Sequence, residues 1–299
     1  MPHPRTSLTL VLCVCALVAA CRGSDSGEPA VAEPHFSINP TRVPLGSPVE
    51  LTYRFEVASE AVDAVRAADY RVFVHFLDSD GELMWTDDHR PEPPTTEWKP
   101  GDTIEYTRTM FVPIYPYIGE ASVSLGLYRV EDGRRLLLKG RARGDREYEV
   151  GTLTLAPQSE NIFLIYRDGW HAPESAPGQP ALEWQWTKKA GIVSFRNPKA
   201  DVTVFLEFDG RPDAFPTPQQ VAVKVNDQVV ETLPVEGGQP VVRRVPISAS
   251  QLGDGDMVEL SLEVDKSFVP VQMPAGSPGH GADERELGIR VFHLFVAAR

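Results

Sequence analysis

Residues 48–57, PVELTYRFEV, place Val49, Leu51, Tyr53, Phe55 and Val57 on one side of an extended chain and Glu50, Thr52, Arg54 and Glu56 on the other. Side chains of a strand alternate between its faces, so this period of two predicts a half-buried antiparallel strand. The same period returns in Val202, Val204, Leu206 and Phe208, and in Val258, Leu260, Leu262 and Val264. Residues 70–77 (YRVFVHFL) are apolar on both parities, which suits a central strand, and Asp80-Gly81 and Asp132-Gly133 supply hairpin turns. Working outward, further strands are expected at 82–85, 103–112, 121–130, 135–139 and 147–155. After Asn161 they are expected at 162–166, 192–196, 201–208, 220–225, 229–233, 241–247, 257–264 and 288–296. Only 59–68 reads as a short helix or insertion. Short strands at this spacing, with no βαβ pattern, predict an all-β chain of two tandem antiparallel β-sandwiches.

The chain has 299 residues, more than one hydrophobic core usually serves, so two blocks of ordinary size are expected, 35–157 and 158–299. Asp and Glu number 42 against 29 Lys and Arg, a formal net charge of -13. Phosphate neutralisation needs clustered cations, so this balance argues against a nucleic-acid binder and disfavours attraction to anionic membranes. Only three cysteines are present, Cys13, Cys15 and Cys21.

Residues 8–20 form an apolar run of 13 residues after a short segment holding Arg5. A bilayer core needs about 20 apolar residues in a helix, so the run reads as a secretory signal peptide, residues 1–20, rather than a membrane span. It ends in Val18-Ala19-Ala20-Cys21. This resembles the lipobox of bacterial lipoproteins, which implies diacylation of Cys21 and attachment to a membrane through that lipid. The other reading is an ordinary signal peptide with Cys21 incidental. Loss of the leader removes Arg5, Cys13 and Cys15, leaving 28 basic and 42 acidic side chains and no pair of thiols for a disulfide. Arg22 follows Cys21, and by the same resemblance this favours an outer membrane, in a diderm bacterium. Residues 21–34 are small, polar and proline-punctuated, and read as a flexible tether with a reach of roughly 20 Å.

In the first block, Trp98-Lys99-Pro100-Gly101-Asp102, Phe111-Val112-Pro113 and Gly126-Leu127-Tyr128 resemble immunoglobulin/fibronectin-like modules of bacterial cell-surface and glycosyltransferase-linked proteins. The resemblance implies a structural signature with no catalytic residue. In the second, VAVKVNDQVVET (221–232), turned at Asn226-Asp227, resembles the hairpin of galactose-binding-like, carbohydrate-binding-module-like jelly rolls. Asp227 stands where glycine is usual, but Asn-Asp can enter positive φ. The resemblance implies a domain that binds carbohydrate or holds an assembly together.

No hydrolase elbow, zinc-protease helix, P-loop or dinucleotide fingerprint is present, and the histidines show no metal-ligand spacing. No cofactor, metal or catalytic residue is therefore expected. Asp78, Asp80, Glu82, Asp87, Asp88 and His89 crowd one hairpin; oxygen ligands this close can bind calcium, but the spacing lacks the order of a calcium loop, and the other reading is exposed acids beside an Asp-Gly turn. Three of the five tryptophans lie in 170–186. Sugar recognition sets aromatic faces against pyranose rings and fixes hydroxyls with a few charged groups, so Trp170, Glu174, Trp184, Trp186 and Arg285 form the candidate ligand site. Alternatively the tryptophans are core, with Glu174 and Arg285 an ion pair tying the ends of the block. Phe111 to Tyr117 reads as a proline-rich connection or a docking loop, and 273–283 as a mobile surface loop.

Three functions follow from these readings: a non-catalytic lipoprotein binding an envelope or extracellular polysaccharide, a structural subunit of an envelope complex, or an unrecognised hydrolase. Exposure of the three tryptophans separates the first two. A pocket holding a histidine–acid pair would favour the third.

Overall fold

The computed structural model describes residues 28–237 and 239–298. The lipobox, Cys21 and the first half of the expected tether, residues 21–27, lie outside the described residues. No helix among the described residues is long and apolar enough to cross a membrane.

The architecture is all-β. The first sandwich contains β1 (Ala32–Asn39), β2 (Arg42–Pro44), β3 (Pro48–Val57), β4 (Tyr70–Leu77), β5 (Leu83–Thr86), β6 (Thr103–Phe111), β7 (Gly119–Arg129), β8 (Arg141–Gly144) and β9 (Glu147–Ala156). One sheet has the order β1-β3-β6 and the other β2-β9-β7-β4-β5, with β8 on β9. All pairs are antiparallel except β2 with β9, a three-residue contact at the sheet edge. The strand whose two faces are both apolar, β4, lies inside its sheet between β7 and β5, as its sequence requires. A short helix, α1 (Val62–Arg66), interrupts the strands where expected. Trp98 is fully buried, tilted against Phe55 at 5.3 Å, and its Nε1 donates to Pro93 O at 3.0 Å. A Cβ on Gly126 would lie 2.4 Å from the Phe73 ring, so that position admits only glycine.

Two expectations fail here for one reason. Residues 135–139 do not form a strand. Leu136 N–H still donates to Leu127 O, but the chain then crosses to the start of β1, where Val31 N–H donates to Leu137 O and Lys139 N–H to Ala32 O. Val31 is fully buried beside that exchange, so part of the segment read as tether is packed on the first sandwich.

The second sandwich contains β10 (Ile165–Tyr166), β11 (Glu174–Ala176), β12 (Gln179–Trp186), β13 (Ala190–Arg196), β14 (Val202–Asp209), β15 (Gln220–Val225), β16 (Gln228–Pro234), β17 (Val241–Ile247), β18 (Met257–Val264) and β19 (Arg290–Ala298). Two five-stranded antiparallel sheets, β10-β13-β18-β15-β16 and β11-β12-β19-β14-β17, enclose Phe195, Leu206, Phe208, Leu260 and Leu262. Asn226 and Asp227 both take positive φ, +47° and +66°, the twist a two-residue hairpin turn demands. The strand expected at 162–166 shrinks to its last two residues. Ser248 opens α2 (Ala249–Leu252) with a reciprocal capping box to Gln251.

The two sandwiches meet at the linker. Arg42 donates two bonds to Glu160, at 2.6 and 2.7 Å, while Asn161 accepts from Ser47 Oγ and donates to Leu45 O. Phe111 of β6 stacks flat on His293 of β19, with centroids 4.2 Å apart. Arg244 of β17 reaches Glu50 and Thr109. The first sandwich therefore meets the outer faces of β19 and β17.

Between the sheets of the first sandwich lies a buried polar network. Asp87 accepts from Tyr53 Oη at 2.9 Å and from Arg108 Nε and Nη2 at 3.1 and 3.0 Å. His89 Nδ1 donates to Asp87 O, leaving Nε2 to accept from Tyr106 Oη at 2.7 Å. Burial pulls the His89 imidazole below the ordinary histidine value of 6.5. Unfolded, the ring titrates near that ordinary value, so below it the unfolded chain binds a proton the folded chain resists. Stability is then complete above about pH 7 and falls as the pH drops through the window beneath 6.5. Denaturant midpoints of the wild type and His89→Gln should diverge least at low pH, where the wild type has already lost this contribution.

Candidate functional site

Gly169 starts the segment that carries the expected site. It adopts φ +84°, and a Cβ there would lie 1.7 Å from Ala190 O, so the turn requires glycine. Trp170 then bridges Thr187, packs against the core of the second sandwich, and donates its Nε1–H to Ile192 O at 2.8 Å. Its ring neighbour is Tyr166, edge-on at 4.9 Å, rather than either tryptophan of β12.

Trp184 and Trp186 do share one face, and it is the outer face of their sheet. Trp186 is paired with Arg290 across β12 and β19. The Arg290 guanidinium lies 5.3 Å from the Trp184 ring centroid, 5.7 Å from Trp186 and 5.5 Å from Phe292. Its Nε donates to Asp209, which is itself buried, at 2.7 Å. The segment 266–289 folds over this face. Phe268 meets Trp186 edge-on at 6.3 Å and bridges Leu287, making a satellite core in which Trp186 is only 8% exposed. Trp184 is half-buried, and its Nε1–H has no acceptor among the described residues. The loop read as mobile is tied down: Val271 N–H donates to Asp283 O, and His280 Nδ1 bonds Met273 O.

Glu174 lies opposite Trp184 in the ladder, and Arg285 Nη1 contacts its Oε1 at 2.6 Å. Arg285 also grips Asp283 through Nε and Nη2. Bonding to Asp283, and then to Glu174, raises the Arg285 pKa, and Arg285 in turn holds Asp283 below the usual carboxylate range. The structure thus brings Glu174, Trp184, Trp186 and Arg285 to one face, with Glu174 and Arg285 paired to each other, Trp186 packed in the satellite core and the Trp184 Nε1–H unpaired, and it turns the Trp170 ring elsewhere.

Two open concavities of similar size lie at the junction of the sandwiches, one of them, of about 660 Å³, lined by Pro40, Pro44, Glu160 and Phe205 among others. The other, a cleft of about 680 Å³ between the sandwiches, is lined by Ile114, Gln158, Ser159, Phe163, Tyr166 and His293, among others, and none of its lining residues is Asp, Glu, Lys or Arg. Phe163 is 79% exposed, Ile114 69% and Tyr166 44%. On the other side of Phe163 a hollow of about 450 Å³ is lined by Ile165, Pro198 and Met257. Ile162 and Leu164 pack on the second core, which sends Phe163 outward. The Tyr166 hydroxyl is desolvated enough to raise its pKa. His293 Nδ1 lies 2.6 Å from Glu207 Oε2. A carboxylate only accepts, so Nδ1 carries the proton and Nε2 of the neutral ring is an acceptor. This is a histidine–acid pair in a cleft, but among the described residues no hydroxyl or thiol is hydrogen-bonded to that histidine, as an activated nucleophile would be.

Phe163 and Tyr166 were absent from the site expected from sequence. The signal was IFLIY (162–166), a run apolar on both parities at a domain junction, where only one parity has a core to enter. The Phe111–Tyr117 stretch is the β6–β7 connection, and its Ile114 forms part of the cleft wall.

Three acids of the 78–88 hairpin, Asp78, Asp87 and Asp88, are engaged locally. Asp78 Oδ1 accepts from the backbone of Asp80 and Glu82, and Asp88 Oδ1 from Val74 N–H. Burial raises the Asp88 pKa. Among the described residues no group of three or more His, Cys, Asp or Glu is arranged to hold a metal ion.

No protein family and no curated protein matches the sequence. Among solved structures, a family GH115 4-O-methyl-α-glucuronidase with specificity for decorated arabinogalactans aligns with 52% of this chain at 9% identity and a TM-score of 0.33, covering only 20% of that chain. The tandem CBM22-1–CBM22-2 of Paenibacillus barcinonensis Xyn10C aligns over 90% of this chain and 92% of its own, at 11% identity and TM-score 0.31. A family 35 carbohydrate binding module from an environmental isolate aligns over 46% of this chain and 98% of its own, at 15% identity and TM-score 0.26. Superpositions of this quality assign neither a fold nor a ligand.

Proposed function

We propose that the protein is a non-catalytic lipoprotein of the cell envelope that binds an envelope or extracellular polysaccharide, and that its site is the cleft between the two sandwiches. The observation that carries this reading is the pair of exposed rings, Phe163 and Tyr166, in an uncharged concavity of about 680 Å³. Ligand sites favour domain junctions and volumes of this order. A sugar ring can lay its C–H face on such rings while its hydroxyls exchange water for protein partners. Because that exchange nets little per bond, affinity should be micromolar to millimolar, roughly 4 to 8 kcal/mol.

The test is a glycan-array screen of the mature chain carrying Cys21→Ser, alongside the same chain with Phe163→Ala. Binding by the first and not the second supports the reading; equal signals on every glycan contradict it. The anchoring half has its own test. Cys21→Ser in the full precursor should move the protein out of the membrane fraction, and a variant that still fractionates with membranes would show that Cys21 is not the anchor.

The second reading, a structural subunit of an envelope complex, is favoured by the packing of the tryptophans, since Trp186 and Trp170 serve the fold. It predicts stable wild-type protein that binds no glycan.

A further inference from the structure

The cleft between the sandwiches has a chemical bias that narrows its ligand. The chain is strongly acidic overall, and no cationic side chain lines the cleft to offset that field for an incoming polyanion. No carboxylate lines it either, so a cationic ligand has no counter-charge there; Glu207 stands behind His293 and is spent on its Nδ1. What does line the cleft is a set of neutral groups with bonding capacity left. The side chains of Gln158 and Ser159 are exposed, and among the described residues neither they nor Tyr166 Oη nor His293 Nε2 has a hydrogen-bond partner. Beside them stand the faces of Phe163 and Tyr166 and the flank of Ile114.

An occupant must combine apolar faces with several uncharged donors and acceptors. A lipid chain would leave the amide, hydroxyl and imidazole groups unanswered. A peptide added to the sheet would have only β10 as its edge, a strand of two residues, too short to hold it by backbone bonds.

We propose that this cleft takes an uncharged saccharide, and that His293 Nε2 accepts the hydroxyl hydrogen bond that fixes its orientation. The inference rests on the carbohydrate-binding reading above and deepens it. With Nδ1–H donated to Glu207, Nε2 of the neutral imidazole is the free acceptor, and the stack on Phe111 holds the ring plane.

The test uses the mature chain with Cys21→Ser, titrated calorimetrically with barley β-glucan, galactan and xylan as neutral probes and polygalacturonate as the acidic one. The wild type should bind a neutral polymer and not polygalacturonate. His293→Phe keeps the stack on Phe111 but has no acceptor, and should weaken that binding about three- to tenfold. His293→Gln, whose amide carbonyl can accept, should recover part of the loss, and both variants should melt near the wild-type temperature. Preference for polygalacturonate would overturn the uncharged assignment while leaving carbohydrate binding intact. Unchanged affinity in His293→Phe would overturn the role of His293. Absence of binding to every polymer would overturn the carbohydrate reading and this inference with it.

Discussion

Trp186→Ala should destabilise the second sandwich by about 3 to 5 kcal/mol, the range for truncating a buried tryptophan. Trp186 joins Phe268 and Leu287 in the satellite core that seats the 266–289 segment on the sheet, and it shares the Arg290 guanidinium with Trp184 and Phe292. Its removal opens a cavity where neither the sheet nor the segment can collapse, because Asp209 fixes Arg290 and the Asp283–Arg285–Glu174 chain fixes the segment. The denaturation midpoint should fall accordingly, with binding at the cleft retained in whatever protein remains folded. A variant that melts like the wild type would mean that Trp186 lies on an open ligand face after all.

Asp87→Ala should cost about 3 kcal/mol, because it strands the partners of a buried charge. Asp87 is the acceptor for Tyr53 Oη and for two nitrogens of Arg108, and Tyr53 is fully buried. Burial, then the Asp87 charge, raises the Tyr53 pKa, so the phenol remains a donor with no other acceptor at hand. The loss should be smaller in Asp87→Asn, which keeps an oxygen. It should be partly relieved in the double variant Asp87→Ala, Arg108→Ala, which removes the stranded cation as well. Urea melts of the three proteins check this, and a loss below about 1 kcal/mol in Asp87→Ala would show that water replaces the carboxylate without penalty.

The strands legible in sequence are those where one face or both meet a core. The alternation of 48–57, 202–208 and 257–264 and the doubly apolar 70–77 survive as β3, β14, β18 and β4. β1, β2, β8, β11 and β12 were not among the strands legible in sequence. β1, β2, β8 and β11 are edge strands or short ones; β1 is laddered on β3 along its whole length, yet small Ala32 and Pro34 hold two of its four apolar positions, which weakens its strand signal.

The tryptophan site shows where parity stops. Equal parity correctly put Trp184 and Trp186 on one side, but it cannot say what covers that side. Glycine and proline at 274–281 spoke for a free loop, while Phe268 and Leu287, outside that stretch, pin the segment down. The ion pair of Glu174 and Arg285 was one of two readings of the same residues, and its distance of 2.6 Å shows that it forms. The cleft was illegible because its walls come from residues 46, 112–114, 158–166 and 293–295, which only the docking of the two sandwiches unites.

The most direct measurement is a calorimetric titration of the mature Cys21→Ser chain and its Phe163→Ala, Tyr166→Ala variant with the polysaccharide selected by the array. Phe163 is almost wholly outside the core, so its truncation leaves packing nearly intact, and melting curves recorded on both proteins identify any cost from the Tyr166–Trp170 contact. The heat of binding should disappear in the variant while the folded protein persists. Undiminished binding by the variant would contradict the assignment of the site to the cleft.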